Sequence, residues 1–443
     1  MQNYTKEDIV RMVKEEDVEF IRLQFTDILG SFKNIAITAN QLEKALNNRF
    51  MFDGSSVEGF VRVEESDMIL SPDLNTFEIM PWRPQQGKVA RLICNVLTTD
   101  GKNFEGDPRY CLIRAIEEAK KMGYEFEVGP ECEFFLFHMD DYSMPTAVTH
   151  EQGGYFDVGP VDMGENIRRD IVLNLEDMGF DIEASHHEGA PAQHEIDFRY
   201  GEALDTADKI MTFKLTVKSI ARRHGMHATF MPKPIAGENG SGMHLNMSLY
   251  RDGVNMFEDP SDPNNLSQEA YYFMGGLMKH IKAITAITNP IINSYKRLVP
   301  NYEAPVYISW GKNNRSPLIR IPSASGEGTR IELRSPDPAA NPYLALAVCL
   351  QAGLDGIQNK IMPPAETSQN IYTMTKDEIV QAGIESLPVA LNESIEELRK
   401  DEFIQKVLGS HISEKYIEAK VKEWDSYRNQ VSKWELDEYL LRY

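Results

Sequence analysis

Five glutamates and one histidine stand where a buried strand would ordinarily carry something apolar or neutral. They are Glu131 and Glu133 in EVGPECEFFLF, Glu188 and Glu195 in SHHEGAPAQHEID, His244 in GSGMHLNMSLY, and Glu332 in GTRIELRSP. Burying an unpaired carboxylate costs several kcal/mol, so carboxylates written into such runs imply a compensating cation. Oxygen ligands joined by one imidazole suit hard divalent ions such as Mg2+ or Mn2+.

Strand phase sorts these residues. Residues two apart in a strand point the same way, so Glu131 and Glu133 project from one face, with Cys132 and Phe134 on the other. The flanking Phe134, Phe135 and Phe137 argue against a solvated face. Gly189 and Pro191 break any helix between Glu188 and Glu195, which predicts a loop followed by a strand starting at His194. The HExxH zinc signature is therefore absent, and His186, His187 and His194 are expected to serve as loop or packing residues. In GSGMHLNMSLY, Met243, Leu245, Met247 and Leu249 share one face and His244, Asn246 and Ser248 the other, the pattern of a strand lining a polar cleft. The preceding GENGSG offers backbone N–H groups without side-chain bulk, suited to an anion, although no GK[ST] follows to make it a P-loop.

Between 297 and 334 the acidic chain turns locally basic through Arg297, Arg315, Arg320, Arg330 and Arg334. Arginine is the side chain for bidentate carboxylate and phosphate recognition. Arg330, Glu332 and Arg334 share a strand face, as a salt-bridge ladder or, beside a carboxylate–metal cluster, as anion clamps. Metal-held carboxylates facing arginines point to a polyphosphate substrate and to metal-dependent phosphoryl transfer without a P-loop.

These residues need a large scaffold. The chain has 443 residues, 42% of them hydrophobic, enough for more than one domain. Its net charge of −22 disfavours general nucleic-acid or membrane-surface binding and fits a soluble cytoplasmic protein that binds cations. Cys94, Cys111, Cys132 and Cys349 show no CxxC spacing and read as small buried hydrophobes in a reducing compartment. The N-terminus is too charged for a signal peptide, and no run approaches a membrane span.

Residues 4–17 read as a helix with Thr5 as N-cap, and VEFIRLQFTDILGSFKNIAI reads as a hairpin around a Gly-Ser turn. A further helix near 40–48 and the strand KVARLICNVLT complete a small α+β domain, residues 1–105. Asp107 and Pro108 open the next helix and Gly123 closes it. The remainder, 106–443, lacks regular βαβ alternation, which predicts an α+β fold with a curved antiparallel sheet carrying the glutamates. Helices are expected at 164–178, 203–224, 266–288 and 339–359, with an amphipathic helical tail from about 376.

At these residues the chain closely resembles glutamine synthetase, type I, of the shorter Gram-positive kind. The matching motifs are FDGSSVEGF, GPECEFFLF, HHEGAPAQHEID, KPIAGENGSGMH, NYEAP, NRSPLIRIP and IELRSPDPAANPY, in the family's order along essentially the whole chain. The resemblance implies a β-grasp-like N-terminal domain and ATP-dependent joining of ammonia to L-glutamate through a γ-glutamyl phosphate. It implies one metal on Glu133, Glu188 and Glu195 and a second on Glu131, His244 and Glu332. Glutamate would be bound by Asn239, Gly240, His244, Arg297, Glu303, Arg315 and Arg334, and ATP by Glu183, Ser248, Arg315 and Arg320. Asp53 would bind ammonium and take its proton, Glu303 would belong to a flap over the intermediate, and Arg315 would assist the transferring group.

The same resemblance implies that Asp53 is contributed by a neighbouring subunit within stacked hexameric rings, a dodecamer. Arg62 in VEGFVRVEES matches a feedback-inhibition arginine of that subgroup, whose product-bound form also binds nitrogen-response transcription factors. The stretch NIYTMTKDE keeps Tyr372 but loses the flanking pattern of the adenylylated members. Two other readings compete: a γ-glutamyl ligase that uses a polyamine, and a catalytically silent relative. The intact Asp53 and NYEAP motifs weigh against the first, and the six intact ligands against the second.

Overall fold

The computed structural model describes residues 3–57, 59, 67–84, 86–312, 316–367 and 371–443, the side chain of Lys376 apart. Thr5 caps the helix Lys6–Glu15 reciprocally with Asp8, each side chain accepting from the other's backbone N–H. The strands Val18–Thr26 and Phe32–Thr38 form the expected antiparallel hairpin. Lys88–Leu97 runs parallel to Val18–Thr26 and pairs on its other side with Asp67–Pro72, which in turn pairs with the edge strand Met51–Asp53. Ile9 and Val13 of the helix pack with Ile21, Leu23, Leu92 and Val96 of this six-stranded sheet.

Asp107 caps the helix Pro108–Lys121 through the Arg109 N–H, with proline in the first turn. The chain then enters the fifteen-residue strand Glu125–Met139, the backbone of a curled eleven-stranded sheet. One side of that strand pairs with Met243–Arg251, which continues to Ile331–Leu333, Ile319–Ile321 and Trp310–Lys312. Its other side pairs with Gln193–Phe198, then Ile182–His187. The expected antiparallel arrangement holds except for the parallel pair Trp310–Lys312 and Ile319–Ile321.

Phe126, Val128, Cys132, Phe134 and Leu136 turn one face of the long strand into the main core. There Phe134 meets Phe213 of the helix Ala203–Arg223 edge-on. The helices Gln268–Thr288 and Pro342–Asn359 cross so closely that a Cβ at Gly276 or Gly356 would fall on the carbonyl of Ala352 or Tyr272. Residues 164–178 form the helix Glu165–Glu176, and the segment from 376 onward is mostly helical. All four cysteines are buried and free. Among the described residues no helix is long and apolar enough to cross a membrane.

A single buried arginine ties the N-terminal sheet to the helix Ala203–Arg223. Arg109, 3% exposed, grips Asp208 with two parallel N–H bonds of 3.0 and 2.8 Å. Its remaining donors reach Asp73 at 2.7 Å and Asn95 at 2.6 Å on the N-terminal sheet. Tyr343 adds a further 2.7 Å bond to Asp208. Removing one partner of such a network leaves a buried charge uncompensated, so Arg109→Ala should lower unfolding stability by about 3–5 kcal/mol. Chemical denaturation at fixed protein concentration measures this, and a loss below about 1 kcal/mol, the range of an exposed pair, would contradict the network's role.

Candidate active site

The outward face of the Glu125–Met139 strand carries Glu131 and Glu133, and its neighbour Gln193–Phe198 carries Asp197 and Glu195 directly opposite them. Like charges directly across a strand pair are destabilising, and these are largely withdrawn from water. Burial, aided by the charge of Glu188, pushes the Glu133 carboxyl up to about 8. Burial and the charge of Glu133 raise Glu195 well above the carboxylate range, and burial with Glu131 raises Asp197 to about 7. Glu131 goes the other way: burial pushes its carboxyl up, but the His244 imidazole and the Asn246 amide outweigh this and hold it near about 2.

Two groups of ligand atoms converge around this row. His244 lies opposite Glu131 on the paired strand, with Nδ1 3.0 Å from Glu131 Oε2 and 3.6 Å from Glu332 Oε1. Glu131, His244 and Glu332 place ligand atoms within 4.8 Å of one another, as the sequence implied. The second group is His186, Glu188 and Glu195. His186 stands 3.4 Å from Glu188 Oε1 and 3.5 Å from Glu195 Oε1. Glu133 borders this group, and its Oε2 accepts from Gln193 Nε2 at 2.7 Å and Gly242 N at 3.0 Å.

His186 packs edge-on against Tyr155 and Phe156 and also stands beside Glu188 and Glu195. Residues 182–187 form a strand rather than a loop, so His186 and His187 point to opposite faces. His187 and His194 are fully buried, in accord with packing roles. His187 bridges Glu151 at 2.9 Å and the Glu188 carbonyl at 2.6 Å, which fixes the backbone from which Glu188 projects. Asp162 also lies near His187 and His194, but both its oxygens are held by Arg168, at 3.1 and 2.7 Å. That third group is a structural ion pair. Asp197 was the acid left unassigned by the motifs, although period-two alternation from Glu195 would have placed it on the same face.

The groups toward the Gly-rich segment form one end of the cleft. A Cβ at Gly242 would lie 2.7 Å from Arg297 Nη2 and 2.9 Å from His244 Nε2, so only glycine lets both side chains in. Arg297, 3% exposed, is anchored by donating to the carbonyls of Ser335 at 2.7 Å and Arg334 at 3.1 Å. Asn239 reaches the far side, its amide abutting Gly189 next to Glu188. Gly240 accepts through its carbonyl from Gln193. Arg320 of the neighbouring strand and Arg334 meet Glu332, at 2.5 and 3.2 Å, whereas Arg330 donates to Asn246 at 2.9 Å, so the Arg330–Glu332–Arg334 ladder that alternation allowed is only half formed.

At the other end, Ser248 and Glu183 line a cavity of about 260 Å3 together with Glu131, Asp197, Asn246 and Arg330. Asp53 sits apart, on the edge strand of the N-terminal sheet, exposed and hydrogen-bonded to the Ser55 hydroxyl and N–H at 2.6 and 2.8 Å. Glu303 is also exposed, in a turn where it and Asn301 adopt φ of 60° and 73°. Tyr372 donates to the neighbouring Ala304 carbonyl at 2.8 Å. Arg62 and Arg315 lie outside the described residues.

With this geometry established, comparison with known proteins becomes decisive. Residues 105–439 match the family model described as glutamine synthetase, catalytic domain, and residues 17–99 match glutamine synthetase, beta-Grasp domain. The chain belongs to the glutamine synthetase family. It is 61% identical over 443 residues to a glutamine synthetase of Clostridium saccharobutylicum, covering 100% of each chain. Over 441 residues it is 57% identical to one from Staphylococcus aureus, covering 99% of each. Among solved structures, a GmaS–ADP complex shares 33% identity and a TM-score of 0.90, covering 98% of this chain and 99% of that one. A cryo-EM Plasmodium falciparum glutamine synthetase shares 27% identity and a TM-score of 0.87, covering 99% of each. The family consists of glutamate–ammonia ligases that use ATP and divalent metal.

The carboxylate row fits such ions. Its acids repel one another, Glu133, Glu195 and Asp197 are inclined to hold protons, and Asp197 Oδ1 has no hydrogen-bond partner. A carboxyl raised in the fold binds more protons than in the unfolded chain, so metal-free stability falls as pH climbs from about 4.5 toward 8. Divalent ions displace those protons and bind the ionised form more tightly. Added Mg2+ or Mn2+ should therefore raise the melting temperature more at pH 8 than at pH 6. Thermal unfolding with and without metal tests this, and equal increments at the two pH values would contradict it.

Proposed function

We propose that the protein joins ammonia to the γ-carboxylate of L-glutamate at the expense of ATP, giving L-glutamine, ADP and phosphate through γ-glutamyl phosphate. What supports this most directly is the order of groups along the cleft, contributed by several strands of the curled sheet and the segments that join them. The cavity of Ser248 and Glu183 comes first, then Glu131, His244 and Glu332, then Glu133, Glu188 and Glu195, then Asn239 and Arg297. A nucleotide in the cavity would point its phosphates at the first group, and glutamate on Asn239, Gly240, Arg297 and Arg334 would bring its γ-carboxylate to the second.

Glu131, His244 and Glu332 would hold one divalent ion and Glu133, Glu188 and Glu195 another, with His186 beside them. The ions supply Lewis-acid stabilisation of phosphate charge. Arg320 and Arg315 add positive charge around the phosphates. A carboxylate is a poor electrophile until phosphorylated, and ammonium cannot attack until it loses a proton. Hydrogen bonds from Ser55 lower the Asp53 carboxyl below its usual range, keeping it ionised to bind ammonium. Asp53 takes the first proton before the C–N bond forms, the second proton lost from the nitrogen departs with the phosphate, and Glu303 and its turn keep water from the intermediate.

Asp53 reaches this site from a neighbouring subunit in our proposal. Exposed apolar side chains on the C-terminal segment support association of copies in stacked rings, a dodecamer: Trp434 is 62%, Leu440 71% and Leu441 97% exposed. The division into domains 1–105 and 106–443 and a cytoplasmic location belong to the same proposal. So does glutamine feedback through Arg62, with docking of nitrogen-response regulators on the product-bound form.

Phosphate release with ammonia, putrescine or no amine discriminates the substrates. Ammonia should drive turnover, and Glu133→Gln and Glu188→Gln should each cost at least about a thousandfold while assembly survives. Turnover with putrescine alone would overturn the reading. The same assay with added glutamine, on Arg62→Ala, reads the feedback arm: wild type should be inhibited and the variant released.

If sites are shared between subunits, inactive Asp53→Asn and inactive Glu188→Gln chains should complement when dissociated and reassembled together. A random ring restores about a quarter of its sites. No recovery in verified mixed rings would place Asp53 within its own subunit's site.

A further inference from the structure

A second cavity, of about 650 Å3, lies in the seam between the N-terminal sheet and the catalytic domain and shares no residue with the site above. Arg91 forms part of its wall. This guanidinium is 6% exposed, yet its Nε and Nη1 have no hydrogen-bond partner. Its Cα partner on the adjacent strand is Glu78, so the two side chains share a face of the sheet. Burial, opposed by the charges of Arg91 and Lys209, leaves the Glu78 carboxyl at about 7.

Two of the neighbouring cations are already engaged. Arg109 is spent on Asp208, Asp73 and Asn95, and Lys209 pairs with Asp205 at 2.9 Å. Retaining a buried guanidinium without partners is costly, which marks Arg91 as a group kept for a ligand. The ligand's chemistry follows from the wall. Seven carboxylates and four cationic side chains line the cavity, so phosphate or a dicarboxylate would meet net repulsion. A plain amine would leave Arg91 unanswered. Ile113, Ile116, Phe126, Met178 and Phe180 supply an apolar remainder.

We propose that this cavity binds a free α-amino acid with an apolar side chain, its carboxylate on Arg91 and its ammonium on Glu78. Guanidinium and carboxylate make the bidentate pair that fixes orientation, and the apolar wall accepts the side chain. This binding is independent of the reaction proposed above.

Isothermal titration of the assembled full-length enzyme tests it, with saturating ADP and L-glutamate present to fill the catalytic subsites. The probes are L-leucine and L-phenylalanine, with 4-methylpentanoate and 3-methylbutylamine as leucine analogues lacking one charge each. Wild type should bind at least one amino acid saturably, and leucine or phenylalanine should bind at least about tenfold more weakly to Arg91→Met and Glu78→Gln. Each single-charge analogue should likewise bind more weakly than leucine. Arg91→Met removes an unpartnered charge at little change in volume, so it should fold and keep its glutamine formation. Ile116→Trp, which fills the cavity from the helix, should also abolish binding and serves if Arg91→Met does not assemble. Absence of saturable binding to wild type, undiminished binding to Arg91→Met or Ile116→Trp, or equal binding of either analogue would overturn the proposal. Loss of ammonia-dependent turnover in wild type would bear on the proposed reaction alone.

Discussion

Carboxylates opposed in pairs across two hydrogen-bonded strands repel each other, and that repulsion organises the catalytic half of the molecule. Glu131 against Asp197 and Glu133 against Glu195 would be unfavourable on any sheet, and burial raises the cost. The surrounding sequence answers with imidazoles at His244 and His186 and with arginines on Glu332. Around these stand the means of holding them in place. Gly242 makes room, Arg168 neutralises Asp162, and the Glu151–His187 pair anchors the backbone of Glu188.

The same repulsion separates the two ends of the cleft. Glu131 is held strongly acidic by His244 and Asn246, whereas Glu133 and Glu195 tend to keep their protons. Two groups on one strand face, two residues apart, thus have opposite protonation preferences. An ion at the first group meets a ready anion, while an ion at the second must displace protons. The two positions therefore differ in affinity for a physical reason written into neighbouring side chains.

Much of this was legible before the fold was known. Period-two alternation placed Glu131 and Glu133 on one face and Met243, Leu245, Met247 and Leu249 on the other side of their strand, and capping residues located the helices Lys6–Glu15 and Pro108–Lys121. The small-residue and proline signals around Glu188 correctly excluded a helix. What alternation could not supply was pairing between distant strands. The nearness of His186 to Glu195 was hidden because nothing local shows that 182–187 lies beside 193–198. Asp197 was passed over because a lone acid at a strand end reads as solvated. Asp53 ends an edge strand and is hydrogen-bonded to Ser55. Only resemblance gave it chemistry, since nothing in the local pattern singles it out.

The long strand Glu125–Met139 serves the core with Cys132 and Phe134 and the cleft with Glu131 and Glu133. A slip of one residue against either neighbour would exchange those sets, sending two acids into the apolar interior and a thiol and a phenyl ring into the cleft. A misthreaded sheet would be unable to chelate. Core and cleft are thus specified by one register, and neither forms correctly without the other.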